Sequence, residues 1–222
     1  MVPWLEWRLV RKNMLRAVVS DAISFVYQAG TTDAAGDWSI DITGLGHQSG
    51  DVGILAFSSD VSDGTMSILG FTLVSADTTS GNCITSLYRR DMDGAETSVA
   101  SFNAGSMTET AVSLFVIRGV TTTGIDIATA AGTNSNPDPG QGAVVTGEEA
   151  MSLTVIATGG AAMTDLLTST GYTTMTGQLY PTGNEATIAG AYKVITAQDD
   201  PDAPNYAPDV DWVSYTVTLQ EA

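Results

Sequence analysis

From residue 21 onward, apolar and polar positions alternate with a period of two in one short segment after another. This period is typical of β-strands, and stretches rich in Gly, Asp, Asn, Ser and Pro separate the segments as turns. The pattern predicts eleven strands, at residues 22–28, 38–43, 51–59, 65–75, 82–90, 96–103, 111–120, 124–129, 150–160, 187–197 and 211–220. One helical turn is predicted at 161–168, and the predicted fold class is all-β.

Two predicted strands are continuously apolar rather than alternating, at residues 53–57 (GILAF) and 113–117 (SLFVI). Such runs indicate central strands buried on both faces, inside a two-sheet sandwich or against a subunit partner. Other strands, such as residues 214–219 (SYTVTL), have one polar and one apolar face, as outer sheets do. Together the strands predict a two-sheet β-sandwich, most economically a jelly roll, that forms a single domain over residues 21–222. Because many outward positions are Thr or Ser, we expect the sheet edges to be covered by neighbouring chains.

Residues 1–20 differ in composition from the rest of the chain. Apolar residues recur there at roughly helical spacing, which predicts a short amphipathic helix or arm. Basic residues interrupt its apolar runs, so it is not a secretory signal, and no stretch of the chain approaches the roughly 18 apolar residues of a membrane span. We therefore expect no membrane partner for the main domain. The residues of the arm that we expect to contact a partner are Trp4, Trp7, Arg8, Arg11, Lys12 and Arg16.

Three roles are open for this arm: a docking element for a partner or symmetry mate, a helix packed on its own domain, or an arm that binds a membrane surface or nucleic acid. The first 20 residues contain four basic residues and one acidic residue, a net charge of +3, so the other 202 residues carry −20 and the whole chain −17. A body this acidic repels phosphate backbones, so we expect no nucleic-acid partner for the main domain. The asymmetry suggests tethering to a neighbouring acidic surface.

The residues for catalysis are few. Cys83 is the only cysteine, so the fold has no internal disulfide and fits assembly in a reducing compartment. One His and one Cys cannot build a typical zinc site, and no nucleotide-binding glycine fingerprint follows a strand and opens a helix. A nucleophile, His and acid arrangement would need His47 beside Asp51, the only acid nearby in sequence. We interpret His47 as a polar loop residue before a strand, and we expect no enzyme activity, no metal and no cofactor.

Three other kinds of site have candidate residues but no signature. The acidic loops at 134–140 and 199–211 offer oxygen ligands for calcium, but neither has the spacing of a calcium loop. A sugar-stacking platform would use loop tyrosines, namely Tyr172, Tyr180 and Tyr206. Glycoside hydrolysis needs two facing carboxylates, which the sequence cannot pair. The candidates for such a pair are Asp41, Asp51, Glu96, Glu185 and Asp211.

The stretch AISFVYQAGTTDAAGDWSIDITGLGHQSGDVGILAFSSD, residues 22–60, resembles the N-terminal half of a β-sandwich domain of bacteriophage virion proteins and of the head-spike base of gene transfer agents. In this sequence and in the family, a Gly-Asp pair opens a long hydrophobic strand; here the pair is Gly50-Asp51. The segments CITSLYRRDMDGAETSVASFN, AVSLFVIRGV and DWVSYTVTLQ follow the family's order of strands, and the likeness extends roughly over residues 22–220. One departure is Gly70-Phe71-Thr72, where the family often has Gly-Trp-Thr.

The resemblance implies a structural virion protein of a tailed bacteriophage: an oligomeric jelly-roll decoration, spike-base or fibre component attached to the head or tail. Its partners would be further copies of itself and other virion proteins such as capsid, collar or tail components, and it would assemble in the host cytoplasm. An alternative is a carbohydrate-binding module that recognises a host-surface glycan, and a third hypothesis is a glycan hydrolase. Gly50-Asp51 itself is interpreted as a turn, in which Gly50 takes a positive φ and Asp51 accepts backbone hydrogen bonds.

Overall fold

The computed structural model describes residues 22–33, 38–59, 67–81, 83–102, 109–134, 137–159, 171–175, 178–179, 186–202 and 210–222. These residues confirm the all-β class: every pairing is antiparallel and none of them is helical. None of the described ranges contains a helix long and apolar enough to span a bilayer. The predicted helix within 1–20 and the predicted helical turn at 161–168 lie outside the described residues.

Fourteen strands are present in the described part of the chain, and each of the eleven predicted segments contains at least one of them. The segment predicted at 65–75 is divided in two, because Gly70 has φ +79° and the amide of Phe71 donates to the carbonyl of Ile68 in a tight turn. The strands are β1 Ser24–Asp33, β2 Ser39–Asp41, β3 Ser49–Ser59, β4 Ser67–Ile68, β5 Thr72–Ser80, β6 Cys83–Asp93, β7 Ser98–Phe102, β8 Thr110–Arg118, β9 Asp126–Gly132, β10 Ala150–Gly159, β11 Thr173–Thr174, β12 Gln178–Leu179, β13 Thr187–Ile195 and β14 Asp211–Gln220.

The described strands form three sheets, where the sequence predicted two. The central sheet has the order β1-β8-β3-β6-β5, and the small sheet has the order β2-β7-β4. The C-terminal sheet has the order β11-β13-β10-β14-β9, with β12 also paired to β13. The first eight strands therefore build the central and small sheets, and the last six build the C-terminal sheet.

The central sheet is buried on both faces because a different sheet packs on each of them. Ile54 and Phe115 belong to the core shared with the C-terminal sheet, whereas their neighbours Leu55 and Leu114 belong to the core shared with the small sheet. All four side chains are fully buried. The prediction that residues 53–57 and 113–117 lie in strands covered on both faces is confirmed. Both covering sheets, the C-terminal sheet and the small sheet, belong to the same chain. The sequence predicted segments that contain β2, β4 and β7, but not their grouping into a separate sheet, because that grouping depends on pairing between distant segments.

The Thr and Ser residues on the outer face of the C-terminal sheet are buried, although the sequence predicted that strand 214–219 has a polar outer face. Thr216 and Thr218 have no exposed surface. The chain around Gly142 covers them: a Cβ on Gly142 would lie 3.0 Å from Thr218 Oγ1, and the amide of Ala143 donates to that oxygen at 3.0 Å. Short side chains at these positions leave space for a backbone segment to lie flat on the sheet.

Candidate functional site

Polar side chains collect at one end of the central sheet, where β1 and β3 begin and β6 and β8 end. The strand registers bring these ends together, since Ser24 pairs with Arg118 and Ser49 with Asp93. We call the group the end cluster; its members are Tyr27, His47, Asp51, Arg90, Glu96 and Arg118. It brings together two of the acids that the sequence named as candidate carboxylates, Asp51 and Glu96.

The Asp51 carboxylate is 2% exposed and is held by Arg118 through two hydrogen bonds of 2.8 Å, one from Nε and one from Nη2. It also accepts a hydrogen bond of 2.9 Å from the backbone amide of Gln48, and Gly50 between them has φ +94°. The predicted roles of Gly50 and Asp51 in a turn are thus confirmed. The local pattern did not indicate Arg118 as the partner, because it lies 67 residues away along the chain. Two-pronged arginine–carboxylate pairs of this kind fix geometry as well as charge.

His47 lies beside Asp51 in the cluster and is enclosed by side chains from two other elements. Its Nδ1 lies 3.2 Å from the hydroxyl of Tyr27, and its Nε2 lies 3.4 Å from Glu96 Oε2. The side chains of His47 and Glu96 are 5% and 4% exposed. Arg90 donates to the other oxygen of Glu96 at 2.8 Å. Although it is a loop residue before a strand, as interpreted, His47 has a buried side chain that joins the loop to β1 and to the β6–β7 turn.

The contacts of the end cluster tie loops to the central sheet. Burial, followed by the charges of Glu96 and Asp51, raises the pKa of Tyr27 to about 12, so its hydroxyl is neutral at physiological pH and makes a poor nucleophile. Asp51 and Glu96 each bind an arginine, and backbone amides of the β6–β7 turn, those of Asp93 and Gly94, donate to Glu96. The end cluster therefore connects three chain segments at one end of the central sheet: β1, the loop before β3 and the β6–β7 turn.

Replacing Gly50 tests the turn. Gly50→Ala should lower the free energy of unfolding by about 1–2 kcal/mol, because φ +94° is unfavourable for a residue with a Cβ, although nothing lies within 4 Å of the position that a Cβ would take. Gly50→Asn should cost less than the alanine variant, because Asn tolerates positive φ better. Urea unfolding of the three proteins measures the difference. Equal stability of all three would mean that the positive φ carries no strain.

The single thiol lies far from this cluster in β6 and is enclosed by the core. Cys83 has no exposed surface, and burial raises its pKa from 9.0 to about 12. The buried thiol therefore contributes stability below about pH 9, and that contribution is lost as the pH rises from 9 to 12. We expect no labelling of the native protein by a maleimide at pH 8, and complete labelling in urea. Rapid labelling without denaturant would show that β6 opens in the native state.

Of the predicted sugar-contact tyrosines, only Tyr172 lies in the described part of the chain. It is half-buried, and its hydroxyl lies 2.7 Å from Ser152 Oγ on the outer face of the C-terminal sheet. Lys193 lies 5.4 Å from the ring centre and pairs with Asp199 at 3.2 Å. Burial raises the pKa of Tyr172. These contacts anchor the loop at 171–175 to the sheet and leave only part of the ring open to a ligand, so they do not favour a stacking platform at Tyr172.

The other candidate acids do not meet in a described cleft. Asp41 is exposed, and a hydrogen bond from the amide of Thr43 lowers the pKa of its carboxyl. Asp211 begins β14 at the opposite end of the molecule, against Gly81. Within the described ranges, no three His, Cys, Asp or Glu side chains are grouped to hold a metal ion.

Several predicted contact residues cannot be placed. Glu185, Tyr180, Tyr206 and parts of the acidic loops at 134–140 and 199–211 lie outside the described residues. The same holds for the residues of the arm that we expect to contact a partner, namely Trp4, Trp7, Arg8, Arg11, Lys12 and Arg16.

Comparison with known proteins gives no match: no family model, no curated protein and no solved structure corresponds to this chain. The likeness to virion β-sandwich domains stays a prediction from the residues quoted above.

Proposed function

We propose that this chain is a structural protein of a tailed-bacteriophage particle, an oligomeric jelly-roll component of the decoration, spike-base or fibre type. The observation that carries the proposal is the strand order of the first eight strands. In a jelly roll, eight strands in two sheets pair first with eighth, second with seventh and third with sixth, as two Greek keys. The orders β1-β8-β3-β6 and β2-β7-β4 follow this scheme. The fold recurs in viral capsid proteins.

One strand departs from the jelly-roll scheme and one sheet adds to it. β5 pairs with β6 in the central sheet rather than with β4 in the small sheet. The C-terminal sheet then covers the outer face of the central sheet, which in a free-standing eight-stranded sandwich would face solvent or a neighbour. The proposed architecture is therefore a jelly roll over residues 24–118 with an added sheet.

The distribution of charge along the chain supports attachment through the basic arm. All four basic residues after residue 20 are engaged within the body: Arg89, Arg90, Arg118 and Lys193 bind a backbone carbonyl or a carboxylate. In this proposal the arm at 1–20 attaches the acidic body to another virion protein, such as a capsid, collar or tail component, and assembly takes place in the host cytoplasm. The protein needs no metal or cofactor in this role.

The test is the mass of the full-length protein in solution, measured beside a variant that lacks residues 1–20, together with binding of both proteins to particles. We expect a defined oligomer for both proteins and loss of particle binding for the truncated one. Folded monomers that bind no particle would overturn the proposal. Urea unfolding of the truncated protein verifies first that its body is folded.

A further inference from the structure

The core between the central and C-terminal sheets reaches the surface at one side of the molecule, where the edge strands β5 and β9 adjoin a groove. Among the described strands, β5 pairs only with β6 and β9 pairs only with β14, so both edges are open there. The volume of the groove is about 310 Å³. Ligand pockets range from about 300 to 1,000 Å³, so this groove suits a small ligand or one terminal residue of a larger one.

One wall of the groove is polar and carries a single charge. Arg89 of β6 and Thr72 of β5 are direct partners in the pairing of their strands, so their side chains are neighbours on one face of the central sheet. Thr122, from the turn before β9, also lines the groove. Arg89 is the only charged side chain among the described lining residues. The wall therefore offers a ligand one guanidinium and two hydroxyl groups.

Arg89 differs from the other three basic residues after residue 20, because each of those binds a carboxylate. Arg89 donates from Nη1 to the carbonyl of Thr122, and no acid of the described residues pairs with it. Arg118 shows how such a side chain holds a carboxylate here, since it donates from Nε and Nη2 to the two oxygens of Asp51. The same edge of the Arg89 guanidinium has no partner among the described residues, although the body is strongly acidic.

A single cation in an acidic body favours a ligand with one negative charge. One guanidinium neutralises a carboxylate, whereas a phosphate monoester carries close to two charges and would keep an excess. Asp91 and Asp126 are exposed and adjoin lining residues in sequence, which adds to the repulsion of a second charge. A carboxylate also matches the fork of an arginine side chain, with two parallel hydrogen bonds.

The rest of the lining indicates what the carboxylate is attached to. Val74, Ile125 and Ile127 pack against the core and remain partly exposed in the groove. Threonine hydroxyl groups both donate and accept hydrogen bonds, as the hydroxyl groups of a sugar do. A sugar ring also has a face of C–H groups that can lie on aliphatic side chains. The combination of one arginine, two hydroxyls and an aliphatic surface therefore fits a sugar ring that bears a carboxylate.

We propose that the β5/β9 groove binds an acidic sugar, with the carboxylate on Nε and Nη2 of Arg89 and ring hydroxyl groups on Thr72 and Thr122. The inference goes beyond the proposed function and does not depend on it, since the groove lies within one chain. Two sources can supply this chemistry, a free acidic monosaccharide or the acidic residue at the end of a glycan.

Titration of glucuronate into the full-length protein, followed by saturation-transfer NMR of the sugar, tests the site directly. We expect saturable binding of glucuronate. Glucose has the same ring without the carboxylate and should bind about tenfold more weakly or worse, because it loses the charge-assisted hydrogen bonds to Arg89. Acetate has the carboxylate without the ring and should also bind more weakly than glucuronate.

Three variants assign the binding to the groove. Arg89→Met keeps an aliphatic stem and should weaken glucuronate binding about tenfold or more. Lys193→Met is the matched control, because it removes the same charge outside the groove and should leave the dissociation constant within about twofold. Thr72→Val removes one hydroxyl from an exposed position and should weaken binding about threefold. The urea midpoint of each variant verifies that it is folded.

The proposal is overturned if glucuronate does not bind, if Arg89→Met binds it as well as the unaltered protein does, or if acetate or inorganic phosphate binds as tightly as glucuronate. Given glucuronate binding, an oligosaccharide that ends in glucuronate distinguishes the two sources. Tighter binding of the oligosaccharide assigns the groove to the end of a glycan, and equal or weaker binding assigns it to the free sugar. None of these results depends on whether the protein is an oligomer or binds a particle, so the proposed function can fail separately.

Discussion

Leu114→Ala and Phe115→Ala should both destabilise the protein strongly, although the two residues are consecutive in one strand and point to opposite faces. Leu114 packs in the core with the small sheet and Phe115 in the core with the C-terminal sheet, and both have no exposed surface. Truncation of buried side chains leaves cavities in each core. The expected loss in the free energy of unfolding is about 2–5 kcal/mol for the Leu variant and about 3–5 kcal/mol for the Phe variant.

Urea unfolding measures both changes, with Val194→Ala as the control on an exposed position. Val194 is 40% exposed in β13, and its truncation should change the stability by no more than about 0.5 kcal/mol. In a two-sheet sandwich without the small sheet, Leu114 would face solvent. A loss for Phe115→Ala without one for Leu114→Ala would therefore contradict the three-layer arrangement.

Arg118→Met should cost about 3 kcal/mol of unfolding free energy. The substitution removes both hydrogen bonds to Asp51 and leaves a carboxylate that is 2% exposed, whose remaining partner among the described residues is the amide of Gln48. Breaking a buried ion pair by removal of one member costs about 3–5 kcal/mol, because the remaining charge is desolvated and uncompensated. The Arg118 side chain is 23% exposed, which places the expected value at the lower end of that range.

Two comparisons separate this effect from simple loss of a charge. Lys193→Met breaks a pair whose side chains are 30% and 22% exposed, and should cost less than about 1 kcal/mol. The double variant Asp51→Asn with Arg118→Met should be more stable than the sum of the two single losses predicts, because it no longer buries an unpaired charge. Equal losses for Arg118→Met and Lys193→Met would show that the Asp51 pair has no special role.

The sequence predicted the strands well because their signal is local. A two-residue period between turn-forming residues defines a strand wherever it falls, and all eleven predicted segments contain strands in the described residues. The turn at Gly50-Asp51 was predictable for the same reason: the positive φ and the hydrogen bond to Gln48 involve residues within three positions of each other. The very short strands β11 and β12 were not predicted, because two residues show no period.

The end cluster was not predicted, because its members meet only through the sheet registers. Asp51 and Arg118 are 67 residues apart, and His47 and Glu96 come from different turns. One signal was available: only four basic residues follow residue 20, in a body that carries a net charge of −20, so each of them had many acids to pair with. Charge counts indicate that such pairs exist, but they do not assign the partners.

By itself, the sequence determined the all-β class, the positions of the strands, the need to bury two strands on both faces, and the contrast between a basic arm and an acidic body. Tertiary structure alone decided that a third sheet from the same chain supplies the second cover, that Asp51 pairs with Arg118, and that two open edges meet at one groove. The physical reason is that period and turn chemistry act between neighbours in sequence, whereas strand order and ion pairing depend on which distant segments come together as the core forms.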